Sequence, residues 1–383
     1  MLIQVFITVG ISQALVLALL LCLKKGRKTA DLILAMELTV MFIISILYNY
    51  RNEIREVVAV LPLHAYVLGY LGALLFYLYV KAVVQGELQW RWKRDSLHLL
   101  PFGIAMLLLS IYYYPLSRVE QLAQYDMVSS SQAPLWFELI YYGLFLGVFP
   151  YYLYQTYLLL QKHEHYILTK FSYKEDIGLE WLNRFFWIEL ITWGAFMIFE
   201  VLGQHWLVLL GDWGLQLGFI FMMLGIMYLG VYGLREHPVF VQQQEEPAIT
   251  ANPAAGLAEE KANDYLDQLL SYMLREKPFL APKISIAELS HRTGIPVNHL
   301  SKIINEQLGL NFFDFINSYR VEEFKRLVSE AKHEHFTLLG LAFEAGFNSK
   351  STFNAIFKKF TQQTPSEYIR NLQTLPIAGS SLS

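Results

Sequence analysis

A chain of 383 residues that is 55% hydrophobic, 15% aromatic and only 16% charged is too apolar for an ordinary water-soluble globular protein. Its net charge of -3 hides a segregation: runs free of Lys, Arg, Asp and Glu dominate before about residue 235, and charged residues become frequent afterwards. A single cysteine, Cys22, excludes an intrachain disulfide and a cysteine-based metal site.

Crossing about 30 Å of hydrocarbon takes roughly 20 mostly apolar helical residues, since no backbone polar group can be left unpaired there. Seven stretches qualify: Leu2 to Leu23, Leu32 to Tyr50, Val57 to Val80, Leu97 to Tyr114, Leu135 to Leu160, Leu182 to Gly203 and Trp213 to Leu234. The first has no basic residue before it and Lys24, Lys25, Arg27 and Lys28 just after it, so it reads as a retained helix with its N-terminus outside. Arg91, Lys93 and Arg94 then follow the third helix, and Lys162, Lys170 and Lys174 the fifth. These loops hold ten basic residues, against Arg51, Arg55 and Arg118 on the other side. Seven crossings from an outside start leave the C-terminal region in the cytoplasm of a bacterial inner membrane. Trp90, Trp92, Trp136, Trp181, Trp206 and Trp213 fall near helix ends, where amphipathic rings sit at the headgroup level.

Ionisable residues are costly in lipid. Glu37, Glu138, Glu189 and Glu200 lie within or near these helices, with His64, Lys81 and His98 toward the ends; the four carboxylates form a candidate sensor site, or serve interhelical hydrogen bonding. Glu37 and Glu189 lie deepest in their apolar runs. His163-Glu164-His165 resembles a metal cluster, but neighbours on a helix point in different directions, so no metal is expected. No phosphate loop, nucleophile elbow, kinase or zinc-protease motif occurs, so neither enzyme activity nor a cofactor is expected.

The membrane domain thus spans residues 1–235, followed by a proline-bearing flexible linker at 236–257. Residues 258–278 form an amphipathic stub helix whose stripe is Ala262, Tyr265, Leu266, Leu269, Leu270 and Met273; it packs on its own domain or dimerises. Residues 372–383 read as a disordered tail.

Within 279–371 one construction appears twice. Ser290 precedes Gly294 by four residues, as Ala342 precedes Gly346: a small residue for close helix packing, then a glycine for the tight turn. The helices that follow bury Leu300, Ile303 and Ile304 in one copy and Phe353, Ile356 and Phe357 in the other. Ser285 with Glu288, Ser349, and Thr364-Pro365-Ser366-Glu367 supply helix starts. Between the copies, Phe312, Phe313, Ile316, Tyr319, Phe324, Leu327 and Val328 outline a connecting helix about 27 Å long, which can hold two recognition helices near one DNA turn, about 34 Å, apart.

The run from Ile284 to Arg370, with GIPVNHLSKIINEQLG, NFFDFINSYR and EAGFNSKSTFNAIFKKFTQQTPSEYIR, resembles the DNA-binding domain of AraC-type transcription regulators over about a quarter of the chain. Two positions depart from the family pattern: Gln362 stands where glycine is common, implying a slightly different turn, and Ala355 where arginine often contacts DNA. The resemblance places DNA contacts on Asn298, Ser301 and Lys302, with His299 adjacent, and on Lys350, Ser351 and Thr352, with Ser349 at the cap and Asn354 near; Lys358 and Lys359 suit the phosphate backbone. Residues 279–371 carry 11 Lys and Arg against 9 Asp and Glu, so affinity from one copy is expected to be modest and salt dependent.

The expected fold is all-α: a seven-helix transmembrane bundle, then a cytoplasmic domain of two helix-turn-helix subdomains joined by a linker helix. The expected function is a membrane-anchored one-component transcription regulator. Its partners would be double-stranded promoter or operator DNA, the lipid bilayer, RNA polymerase, a second copy in a homodimer, and a small-molecule or membrane signal. Two alternatives stand beside it: a transporter or membrane enzyme with an autoregulatory DNA-binding tail, and a DNA-binding domain on a passive anchor.

Overall fold

A computed structural model describes residues 2–86, 88, 91–126, 134–203, 213–234, 259–330 and 337–374. The expected linker, most of the expected tail, Trp90 and Trp206 lie outside the described residues, as do the side chains of Glu138 and Glu200. Every element among the described residues is helical apart from one isolated β-bridge. The chain divides into two compact units, Met1–Gln161 with Leu179–Gln243, and Lys162–Gly178 with Gln244–Ser383.

The first unit holds α1 (Leu2–Leu23), α2 (Thr29–Asn49), α3 (Arg51–Val57), α4 (His64–Gln85), α5 (Trp92–Asp95), α6 (Leu100–Tyr112), α7 (Arg118–Asp126), most of α8 (Leu135–Lys170), α9 (Glu180–Gly203) and α10 (Trp213–Leu234). A helix occupies each of the seven apolar stretches, while the short α3 and α7 fall in loops. α2 packs between α1 and α4, and α10 lies against α1 and α9. The core includes Leu21, Leu34, Leu38, Leu182, Phe185 and Ile226. The same helices also turn apolar side chains outward: Val9, Leu19, Met36, Leu107, Ile191 and Phe221 are exposed. Helices apolar on every face belong in a core or in lipid. Three helical stretches among the described residues, Thr29–Asn49, Leu61–Gln85 and Trp92–Tyr112, are long and apolar enough to cross a membrane. Thr8–Leu23 and Ile220–Leu234 are shorter apolar stretches. Trp181 is buried and stacked on Tyr232, so it serves packing inside this unit.

The second unit is built on α14 (Phe312–Ser329), which starts where the Asn311 side chain accepts from the Asp314 N–H at 2.7 Å. One side of α14 buries Phe312, Phe315 and Ile316 against α11 (Glu259–Glu276), α12 (Ile286–Thr293) and α13 (Val297–Lys302). The other buries Phe313, Val321, Phe324 and Leu327 against α15 (Leu338–Glu344), α16 (Lys350–Thr361) and α17 (Pro365–Thr374). α14 thus carries two separate cores back to back. The α11 stripe settles inward: Leu269 and Met273 are fully buried in the first core, and Gln268 donates to the Thr293 carbonyl at 2.8 Å. The stub helix therefore packs on its own domain.

Residues 162–178 belong to this unit as well. Phe171 bridges antiparallel to Ser285, and the Ser172 N–H donates to the Ile284 carbonyl. A segment that reads in sequence as a plain loop is part of the C-terminal fold.

Candidate nucleic-acid interface

Both halves of the second unit repeat one local geometry. α12 ends at Gly294 (φ +73°), and α15 is followed by Gly346 (φ +93°); each glycine takes the left-handed turn that leads to the next helix. At Gly346 a β-carbon would lie 2.4 Å from the Phe279 carbonyl oxygen, so the turn also needs the missing side chain for close approach. Ser290 and the fully buried Ala342 sit at the packing point before each turn. Leu300, Ile303 and Ile304 then anchor the first recognition helix; a wider π-type turn, Ile303–Gln307, continues α13. Phe353, Ile356 and Phe357 anchor the second, with Phe324 against both Phe353 (4.7 Å) and Phe357 (5.4 Å).

The capping chemistry is met unevenly. Ser349 caps α16, its hydroxyl accepting from the Thr352 N–H at 3.2 Å. Thr364 and Glu367 form a reciprocal box. At α12 only half forms: Ser285 accepts from the Glu288 N–H, while the Glu288 carboxylate turns to Arg292. Gln362 keeps the left-handed turn (φ +61°) that glycine would supply, so the turn is retained and strained rather than altered.

On the first recognition helix Asn298 and Lys302 are exposed, Ser301 is half-buried, and the His299 ring lies 5.8 Å from Tyr265. Lys302 is 3.8 Å from Glu306. On the second, Lys350, Ser351, Asn354, Ala355 and Lys358 are exposed on one polar surface. Three expected contacts are engaged elsewhere. Lys359 reaches across to α14 and donates to both oxygens of Asp314 at 2.7 Å. Thr352 points its hydroxyl at Glu175, as does Ser349, which lies 2.6 Å from the same Oε1. Burial pushes the Glu175 carboxyl up, but these hydroxyls and the nearby backbone N–H groups prevail and hold it below the usual carboxylate range.

Beneath this contact lies Arg320 of α14, 1% exposed. Its guanidinium donates to the carbonyls of Phe279 (2.8 Å), Ala281 (2.8 Å), Pro282 (3.2 Å) and Ser172 (3.0 Å), and to the Ser172 hydroxyl and Asn317 Oδ1. Asn317 also donates to the Ser172 carbonyl, at 3.2 Å. Burial, only partly offset by the Glu175 charge, holds the guanidinium down at about 10. Arg320, Asn317, Ser172 and Glu175 form a network beside the second recognition helix that the sequence does not announce: their partners lie up to 177 residues away, and no local periodicity signals them.

A family model described as a helix-turn-helix domain matches residues 289–371. That segment is an AraC-type helix-turn-helix domain. Two relatives named as uncharacterised HTH-type transcriptional regulators, from Staphylococcus aureus strains COL and MSSA476, are each 38% identical to the chain over 85 residues, 22% of this chain and 11% of theirs. The chain thus covers about a tenth of the length of these relatives. The probable transcription factor PqrA of Proteus vulgaris is 27% identical over 115 residues, 30% of this chain and 88% of that protein. No solved structure matches. The AraC-type domain thus accounts for the duplicated turns, the connecting helix and the two polar recognition surfaces.

Proposed function

We propose that the chain is a membrane-anchored one-component transcription regulator of the bacterial inner membrane. In this reading residues 1–235 form a seven-helix bundle, 236–257 a linker, 258–278 the stub, 279–371 the DNA-binding domain and 372–383 a tail. The carrying observation is the pair of recognition helices, each held by its own core on opposite sides of α14, with polar faces turned to solvent. The apolar exterior of the first unit and its three span-length helices support anchoring.

Asn298, His299, Ser301 and Lys302 read one half-site, and Ser349, Lys350, Ser351, Thr352 and Asn354 the other, with Lys358 on phosphate. Lys359 contributes by fixing α16 to α14. Because the α11 stripe is consumed within the domain, the homodimer is not formed through it. Contact with RNA polymerase follows if bound promoters are activated.

The sensor reading centres on Glu37 and Glu189. Glu37 of α2 is 2% exposed, and its Oε2 has no hydrogen-bond partner. A β-carbon at Gly72 of α4 would lie 3.6 Å from Glu37, and one at Gly225 of α10 would lie 3.7 Å from Glu189. A buried and a half-buried carboxylate beside glycine faces are suited to a ligand that brings a donor or a positive charge, which would shift the bundle between two states.

The test is selection of a random 30-base-pair duplex pool on the full chain in lipid nanodiscs, followed by a reporter assay on the enriched sites. Enrichment of a two-half-site motif and membrane-dependent reporter control are expected. Failure to retain any duplex would overturn the reading.

A further inference from the structure

Segment 162–178 lies between the fifth and sixth proposed membrane helices, yet it is bound into the DNA-binding unit by more polar contacts than chain continuity requires. Ser172 is fully buried, and its carbonyl and hydroxyl take three hydrogen bonds from Arg320 and Asn317. The Ser172 hydroxyl also donates to the Ile284 carbonyl at 2.9 Å. Lys174 sits over the Phe313 ring; the Lys283–Asp176 pair, 2.8 Å apart with both side chains exposed, adds little to this hold.

At the end of this run, Glu175 presents one carboxylate oxygen to the hydroxyls of Ser349 and Thr352, the cap and third residue of the second recognition helix. The first turn of a helix carries unpaired N–H groups and partial positive charge, and it is the end of a recognition helix that enters the major groove. A carboxylate there stands where a DNA phosphodiester oxygen would be received. Ser349 and Thr352 cannot serve both, and a fixed negative charge at the groove-facing end repels the duplex.

Resting on the regulator reading above, we propose that segment 171–176 is an internal latch: Glu175 occupies the anion-receiving end of the second recognition helix, and DNA engages that helix only when the segment swings away. The first recognition helix has no such cover among the described residues. The protein is thereby a one-handed DNA binder at rest and a two-handed one when released, and a change in the membrane helices flanking 162–178 is the natural release signal.

The test uses the full chain in nanodiscs and a duplex enriched from the random pool. Glu175→Gln removes the charge at the recognition helix, while Asp176→Asn removes the same charge one residue away, where it pairs with exposed Lys283. Glu175→Gln is expected to bind about tenfold tighter than wild type, with Asp176→Asn unchanged. In the wild type, saturating duplex is expected to speed tryptic cleavage after Lys174, a readout that needs no variant. If wild type binds the duplex but Glu175→Gln binds no tighter, or the two variants tighten equally, or duplex leaves cleavage at Lys174 unchanged, the latch is overturned while the regulator reading stands. If no form binds any duplex, the regulator reading fails and takes the latch with it.

Discussion

The two turn glycines offer a comparison in which sequence role is constant and only space differs. Gly294 and Gly346 both hold positive φ, and an L-residue in that region costs roughly 1–2 kcal/mol. A β-carbon at Gly294 meets nothing within 4 Å. At Gly346 it would lie 2.4 Å from the Phe279 carbonyl oxygen and 2.9 Å from the Leu280 α-carbon, both backbone atoms that cannot rotate aside. Overpacking of that kind adds roughly 1–3 kcal/mol. Gly294→Ala should therefore cost about 1–2 kcal/mol, and Gly346→Ala about 2–5 kcal/mol. Hydrogen exchange on the full chain in nanodiscs measures this locally. Amides of α15 and α16 should lose protection in Gly346→Ala by about thirtyfold more than α12 and α13 lose in Gly294→Ala, since each 1.4 kcal/mol is about tenfold. Equal losses in the two variants would refute the claim that close backbone approach, and not φ alone, selects the second glycine.

Gln362→Gly should stabilise the second half by about 1 kcal/mol, because Gln362 holds φ +61° at a helix end; a lowered thermal midpoint would contradict this. Arg320→Met should leave the carbonyls of Phe279, Ala281 and Pro282 without their guanidinium donor and the Ser172 carbonyl with Asn317 alone, and cost at least ~3 kcal/mol, seen as faster exchange at both 171–176 and 279–283; protection surviving at either would argue against a shared tie. Lys350→Ala should weaken duplex binding by about 1–3 kcal/mol, whereas Lys359→Ala should lower stability by at most ~1 kcal/mol through loss of the Asp314 pair and leave the salt slope of binding intact. On pH, Glu323 is held below its ordinary value near 4.5, chiefly by Arg326 and also by Lys277, and Glu175 is held low as well. A depressed carboxyl contributes stability that is present above the unfolded value and lost as pH falls through the folded one. These two groups should thus leave stability flat between pH 5 and 7 and weaken the unit below about 4.5, and Glu323→Gln should shrink that acid limb in a pH series of thermal midpoints.

What could be read from the sequence was whatever is encoded locally. Helical periodicity placed Leu300, Ile303, Ile304, Phe353, Ile356 and Phe357 in the core, and all six are buried. The connecting helix runs Phe312–Ser329, and the positive-φ glycines fall where small-residue spacing puts them. Caps are partly legible: Ser349 and Thr364 signal themselves, whereas Asn311 and Thr337, which cap α14 and α15, are visible only in the structure. The two cores on α14 were less visible, because its apolar positions read as one stripe although Phe312 and Phe313 serve opposite partners. Arg320 was hidden by the same logic, since one cation in an amphipathic helix reads as its solvated face. Chiefly the backbone carbonyls of Phe279, Ala281, Pro282 and Ser172 make it a core residue, and backbone acceptors leave no mark in a sequence.

Under the proposed membrane reading, the contacts of Ser172 also bear on the topology, by reasoning independent of charge counting. The positive-inside argument uses only Lys and Arg in short loops and assigns 162–178 and the C-terminal region to one side. The hydrogen bonds from Arg320 and Asn317 to Ser172 use none of those residues, yet they require the same outcome, because two segments that share a buried guanidinium lie on one face of a bilayer. In the proposed membrane reading, the chain between Gly178 and the stub helix therefore crosses an even number of times. Two crossings, by α9 and α10, satisfy this and the seven-span reading together; a single crossing satisfies neither. A reporter fused after Leu234 and another fused within 174–176 must give the same sidedness, and opposite signals would break both the topology and the Ser172 contact.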